Sequence, residues 1–138
     1  MTEHGGDTIN CDALPWIPLA PKVSVRVIKM VPETGAYSVM IRAEQGGVLP
    51  RHQHLESAEI FILKGTGVHP QTGAFRKGDY VSERKGAVHD ALPFGEDTEL
   101  LMISNGASAF LAEDDSVMFL MDVPMLQGLI ASQQGGHA

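Results

Sequence analysis

His52 and His54 lie two residues apart in the stretch Gly46-Gly47-Val48-Leu49-Pro50-Arg51-His52-Gln53-His54. In an extended segment side chains alternate faces, so the two rings point the same way and stand close enough to chelate one ion. Glu59 follows five residues later, directly before the apolar run Ile60-Phe61-Ile62-Leu63. Of the six histidines, His4 and His137 sit in glycine-rich ends, which leaves His52, His54, His69 and His89 inside the chain. Two histidines on one strand are a weak signal alone, since a solvent-facing strand can carry both without a metal.

The elements that must position these residues read as short strands. With 138 residues the chain makes one domain able to bury a single core. Residues 12–133 form that domain, between disordered ends at 1–11 and 134–138. Three prolines, Pro15, Pro18 and Pro21, mark Cys11 to Lys22 as an extended arm that Trp16 packs down. Val23 to Met30 and Tyr37 to Arg42 alternate with period two on either side of a turn at Pro32-Glu33-Thr34-Gly35. Further strands read at Ile60–Leu63, Tyr80–Glu83, Glu99–Ile103, Ala109–Leu111 and Val117–Met121, divided by turns at Lys64-Gly65, Lys77-Gly78-Asp79, Gly86 and Asn105-Gly106. Pro124 opens a short helix through Met125, Leu126, Leu129 and Ile130. Nine or ten short strands and one terminal helix indicate an all-β closed antiparallel barrel or sandwich.

A net charge of −7 and no basic run argue against nucleic-acid or anionic-membrane partners, which need Lys/Arg patches. No apolar stretch reaches the ~20 residues of a membrane span. The single Cys11 cannot form an internal disulfide, and a cytoplasmic protein is the default expectation.

The spacing Gly46, five residues, His52-x-His54, four residues, Glu59 resembles the first motif of the cupins. Gly78, five residues, Arg84-x-Gly86, two residues, His89 resembles the second, departing from it at Arg84, where proline is usual, and at Pro93, where asparagine is usual. The resemblance implies a double-stranded β-helix, or jelly-roll barrel, in which His52, His54 and His89 converge on one divalent metal. Three imidazoles on a rigid wall suit Fe(II), Zn(II), Ni(II) or Cu(II) and leave positions open for substrate or oxygen. A metal-free cupin with three polar interior histidines is the alternative.

Glu59 sits where the cupin carboxylate ligand is allowed, counted forward from His54. Counted back from Gly65 the spacing is one residue short, and the inward position becomes Ala58 with Glu59 on the opposite face. Hydrophobicity does not choose between the sets Ala58/Ile60/Ile62 and Glu59/Phe61/Leu63. The same short gap resembles the acetylacetone-cleaving dioxygenases and the dioxygenases that cleave hydroxyacetophenones, as do Pro32-Glu33-Thr34, Phe61-Ile62-Leu63-Lys64-Gly65 and Glu83 six residues before His89. That branch holds non-haem Fe(II) by histidines without a carboxylate.

Glu83 is then either the candidate to accept the second N–H of a metal-bound imidazole or a solvated turn residue beside Arg84 and Lys85. His69 is read as a surface or packing residue, with a place at the barrel mouth as the other option, and Glu56 as solvated. Phe61, Tyr80, Phe94 and Met102 are candidate pocket walls, and Arg42 and Arg76 candidate partners for an anionic substrate. The resemblance implies an Fe(II)-dependent dioxygenase in which a small β-dicarbonyl or aromatic hydroxyketone meets O2 as its enolate, within a homodimer that exchanges the arm at 12–22. Two rivals are a zinc-binding sensor domain resembling that of ChrR-type anti-sigma factors, here without their N-terminal helical domain, and a Zn(II) or Ni(II) isomerase or hydrolase.

Overall fold

The computed structural model describes residues 5–135 of the chain. His4 and His137 lie outside that range, as do residues 1–4 and 136–138 of the ends expected to be disordered. A short 3-10 turn, Cys11–Ala13, opens the arm that was read as wholly extended. Fourteen strands follow: β1 (Ile17–Ala20), β2 (Val23–Val31), β3 (Ala36–Ala43), β4 (Val48–Leu49), β5 (His52–His54), β6 (Ala58–Lys64), β7 (Thr66–His69), β8 (Gly73–Arg76), β9 (Tyr80–Glu83), β10 (Val88–His89), β11 (Leu92–Pro93), β12 (Thr98–Ser104), β13 (Ser108–Leu111) and β14 (Val117–Met121). The helix α1 runs from Val123 to Gly135, two residues past the expected boundary.

All pairings are antiparallel. One sheet has the order β1-β2-β3-β12-β6-β9 and a second the order β10-β5-β13-β14, with two-stranded ladders β11-β4 and β7-β8 beside them. Alternation places Tyr37, Val39, Ile41 and Ala43 of β3 and Leu100 and Met102 of β12 in the core, where they meet Phe110 and Met121 from the second sheet. This is the all-β barrel with a C-terminal helix that the turn spacing indicates. The arm pairs through β1 with β2 of its own chain, and the guanidinium groups of Arg26 and Arg42 pack on Trp16, 4.3 and 4.4 Å from its ring centroid.

The helix begins where Asp122 Oδ1 accepts the Met125 N–H at 2.9 Å, an N-cap that satisfies one of the free amides of the first turn. Val123 and Leu126 then bury against the core. At the other register-setting point, Gly65 has φ +92°, and a Cβ there would lie 2.6 Å from Thr98 Oγ1 and 2.7 Å from the Asp97 carbonyl oxygen. Only glycine fits, so the end of β6 is pinned. Ala58 consequently faces inward at 1% exposure, and Glu59 faces out.

Candidate metal centre

His52 and His54 enter the barrel interior from β5, and His89 from β10, whose backbone pairs with β5 so that His89 lies directly across from His52. All three are buried. Their ring centroids are 5.0 Å (His52–His54), 5.3 Å (His52–His89) and 5.2 Å (His54–His89) apart, an almost equilateral group. The three rings that the resemblance brings together are thus neighbours in the barrel interior.

The two rings on β5 are held from behind. His52 Nδ1 donates to the Pro50 carbonyl oxygen at 2.9 Å, which leaves Nε2 with a free lone pair. His54 Nδ1 lies 3.3 Å from Ser108 Oγ, while its Nε2 is buried without a hydrogen-bond partner. Both ring nitrogens of His89 also lack a hydrogen-bond partner. Phe110 stacks on His52 with centroids 5.3 Å apart, fixing the ring plane.

Glu83, at the end of β9 in the other sheet, completes the cluster. Its Oε2 lies 2.5 Å from His89 Nε2, off the direction of a hydrogen bond, and its side chain is 2% exposed. One ligand atom each from His54, Glu83 and His89 lies within 4.8 Å of the others. The expectation for Glu83 was a group that accepts an imidazole N–H; its carboxylate lies beside His89 and within 4.8 Å of a ring nitrogen of His54. Its Cα partner across the ladder is Ala58, so a carboxylate from the neighbouring strand reaches the space beside the small inward residue.

Glu59 does not join the cluster, which corrects its reading as a ligand. It is exposed on the outer face and accepts a hydrogen bond from Tyr80 Oη at 2.7 Å. The physical cause is the pinned turn at Gly65, which reverses every side chain of β6 relative to the other register. Glu56 forms a surface pair with Lys85 at 3.2 Å. Arg42 stacks on Trp16, and Arg76 is an exposed residue of β8; neither lines the site.

Burial lowers the pKa of His52 and takes that of His54 to about 4, so both imidazoles are neutral and carry lone pairs at neutral pH. For Glu83 burial acts upward, but contact with His89 and the field of the surrounding histidines outweigh it and leave the carboxyl below its usual range. His54 Nε2 and both ring nitrogens of His89, buried without hydrogen-bond partners beside an ionised carboxylate, fit a divalent cation: such buried polar atoms are costly to leave unpaired.

A cavity of about 40 Å³, room for roughly three waters, adjoins the cluster and is lined by His52, His69 and Glu83 among Ile60, Ile62 and Phe75. Of the expected pocket walls, Phe94 and Met102 are in the core, Phe61 and Tyr80 are exposed, and none lines this cavity. A larger open groove of about 580 Å³ along Pro21, Val48, Arg51 and Glu113 carries none of these histidines; the buried donors, not size, locate the chemistry. His69 is the residue whose place the sequence did not reveal. It was read as a surface or packing side chain, yet its ring meets His89 edge-on at 4.4 Å, and burial lowers its pKa. Only its position after the Gly65 turn hinted at this.

Comparison with known proteins agrees with the architecture. The model of the ChrR Cupin-like domain matches residues 4–109. No curated protein sequence matches the chain. Among solved structures, an acetylacetone dioxygenase from Acinetobacter johnsonii superposes with a TM-score of 0.81 at 18% identity, covering 96% of this chain and 94% of that one. An RmlC-like cupin protein from Ralstonia eutropha JMP134 gives 0.82 at 21% identity over 98% and 92% of the two chains. Rhodobacter sphaeroides ChrR, solved with SigE, gives 0.58 at 19% identity over 67% of this chain and 50% of that one.

Proposed function

The chain belongs to the ChrR cupin-like domain family, and from that premise we propose that it is a metal-dependent dioxygenase, with Fe(II) as its metal, cleaving a C–C bond of a small β-dicarbonyl. The observation that carries this reading is the buried cluster of His52, His54, His89 and Glu83 opening onto a small apolar cavity. A metal that serves stability alone has no use for a cavity beside it. The similarity in fold to an acetylacetone dioxygenase over nearly the whole of both chains supports the same reading.

The roles of the side chains follow from their positions. His52, His54 and His89 would hold the ion through ring nitrogens, with the rings of His52 and His54 backed by Pro50 and Ser108. When bound, Fe(II) supplies Lewis acidity toward two neighbouring carbonyl oxygens and the reducing capacity that O2 chemistry requires. Glu83 keeps the orientation of His89 and, as an ionised carboxylate at the cavity wall, accepts the proton that a β-dicarbonyl loses from its central carbon. Ile60, Ile62, Phe75, Leu92 and Leu100 exclude water from the resulting enolate.

O2 uptake by iron-reconstituted protein, measured against a panel of β-dicarbonyls and hydroxyacetophenones with metal analysis of the same preparation, tests the proposal. No O2 consumption with any of them refutes it. The zinc-sensor reading has its own support in the position of Glu83, which could close a four-ligand shell with the histidines. Protein that retains zinc and binds no diketone favours that alternative, and turnover without O2 favours a Zn(II) or Ni(II) isomerase or hydrolase.

A cytoplasmic homodimer fits the same picture. Cys11 is free, and among the described residues no helix is long and apolar enough to cross a membrane. The edge strand β14 exposes Val117, Met118, Phe119 and Leu120 in succession, which supports pairing with β14 of a second copy in place of exchange of the arm. Sedimentation equilibrium of the wild type against Phe119→Lys checks this.

A further inference from the structure

His69 closes β7 and turns its ring into the cavity beside His52 and Glu83. Its Nδ1 accepts two backbone hydrogen bonds, from the Gln71 N–H at 3.1 Å and the Thr72 N–H at 3.2 Å. A nitrogen that accepts two N–H groups carries no proton, so the neutral ring holds its hydrogen on Nε2. The tautomer is therefore set by the loop, and the N–H is left on the edge of the ring away from it.

The loop is tied to the metal cluster. Gln71 Nε2 donates to Asp90 Oδ2 at 2.8 Å, and the Asp90 backbone N–H donates back to Gln71 Oε1 at 3.0 Å. Asp90 is the residue after His89 and is further contacted by Arg51 at 3.4 Å. His69 and His89 are thus held in register by a reciprocal clamp, with their rings edge to face at 85°. Outside the cluster, His69 and Thr72 are the polar side chains lining a cavity that contains no Lys or Arg. An oxygen that gains negative charge there has few protein donors to meet.

We propose that His69, through Nε2–H, donates a hydrogen bond to an oxygen atom of the ligand held at the His52/His54/His89/Glu83 cluster. For the proposed reaction, on whose reading of the site this rests, that oxygen is one of the two dicarbonyl oxygens, on which the enolate charge resides. A preorganised donor in a water-poor cavity stabilises such charge more than the same donor does in water. His69, like His52, lies outside the group of ligand atoms within 4.8 Å of one another, which is His54, Glu83 and His89.

The pair His69→Asn and His69→Gln separates this role from the loop's need for an acceptor. Asn places an oxygen near the Nδ1 position and preserves the turn, but has no donor that reaches the cavity; Gln places an N–H near the Nε2 position. Cobalt(II)-loaded protein is titrated without oxygen, following the visible Co(II) spectrum, with acetohydroxamate, an O,O-chelating anion, and in parallel with pentane-2,4-dione. H69N is expected to weaken hydroxamate binding on the order of tenfold with Co(II) affinity and thermal midpoint unchanged, and H69Q to restore most of the loss. Wild-type hydroxamate affinity in H69N, an equal loss in both variants, or no hydroxamate binding by the wild type overturns the inference. Wild-type protein that binds hydroxamate but not the dione refutes the substrate reading and still decides the role of His69.

Discussion

Replacing Glu83 by Gln keeps the volume and one carbonyl oxygen but removes the buried charge. The Glu83 side chain is 2% exposed, with Oε2 2.5 Å from His89 Nε2, and its ligand atom lies within 4.8 Å of those of His54 and His89. A divalent ion and one carboxylate attract by several kcal/mol at close range even in an effective dielectric of ~20. Much of this survives as carbonyl coordination and through water that enters the variant. Loss of a carboxylate that orients a metal-bound histidine typically costs ~10- to 100-fold in affinity, or about 1.4–2.7 kcal/mol, and that is the expected loss for E83Q. The metal-free variant should be somewhat less stable than the wild type at neutral pH, because the surrounding histidines hold the Glu83 carboxyl below its usual range even without a cation. Competition of Zn(II) between protein and a chromophoric chelator measures the first quantity, and thermal denaturation in EDTA the second. Glu59→Gln serves as control and should leave affinity within about twofold, since an exposed carboxylate paired with Tyr80 contributes little. Unchanged affinity in E83Q, or an equal loss in E59Q, refutes the assignment of the carboxylate.

Other expectations follow from the same geometry. In metal-free protein His52 and His54 have folded pKa values below the unfolded 6.5, that of His54 about 4. The unfolded chain therefore binds more protons in this range: stability is complete above about pH 6.5 and falls as pH drops toward 4. The slope approaches about 1.4 kcal/mol per pH unit for His54, with a contribution of the same sign from His52, read from urea midpoints at pH 7 and 5. Gly65→Ala introduces a Cβ 2.6 Å from Thr98 Oγ1 at φ +92° and should cost about 2 kcal/mol or more, visible as a lower thermal midpoint. Leu126→Ala removes a side chain at 0% exposure from the helix seat and should cost about 2–4 kcal/mol in chemical denaturation while leaving Zn(II) affinity unchanged.

The cupin resemblance and the period-two pattern anticipated the three-histidine group, and for a local reason. His52 and His54 share a face because strand side chains alternate, whatever the strand packs against. The same rule, with Gly65 as anchor, contained the answer for Glu59: the short spacing already named Ala58 as the inward residue. Hydrophobicity could not choose because both registers are apolar, and the choice came from the Thr98 and Asp97 atoms that leave no room for a Cβ at Gly65.

Nothing local could bring Glu83 into the cluster or His69 over His89. Glu83 enters because β9 pairs with β6 in a register that sets it across from Ala58, and that register is a property of two strands 25 residues apart. His69 enters because the β7–β8 hairpin is clamped through Gln71 and Asp90 onto the strand that carries His89. Arg42, a plausible anion partner in sequence, is taken by Trp16 instead. Spacing along the chain determined which histidines share a face, because alternation is a backbone property; which carboxylate and which fourth histidine meet them was decided by strand pairing and side-chain clamps between distant segments, where tertiary contacts alone set the distances.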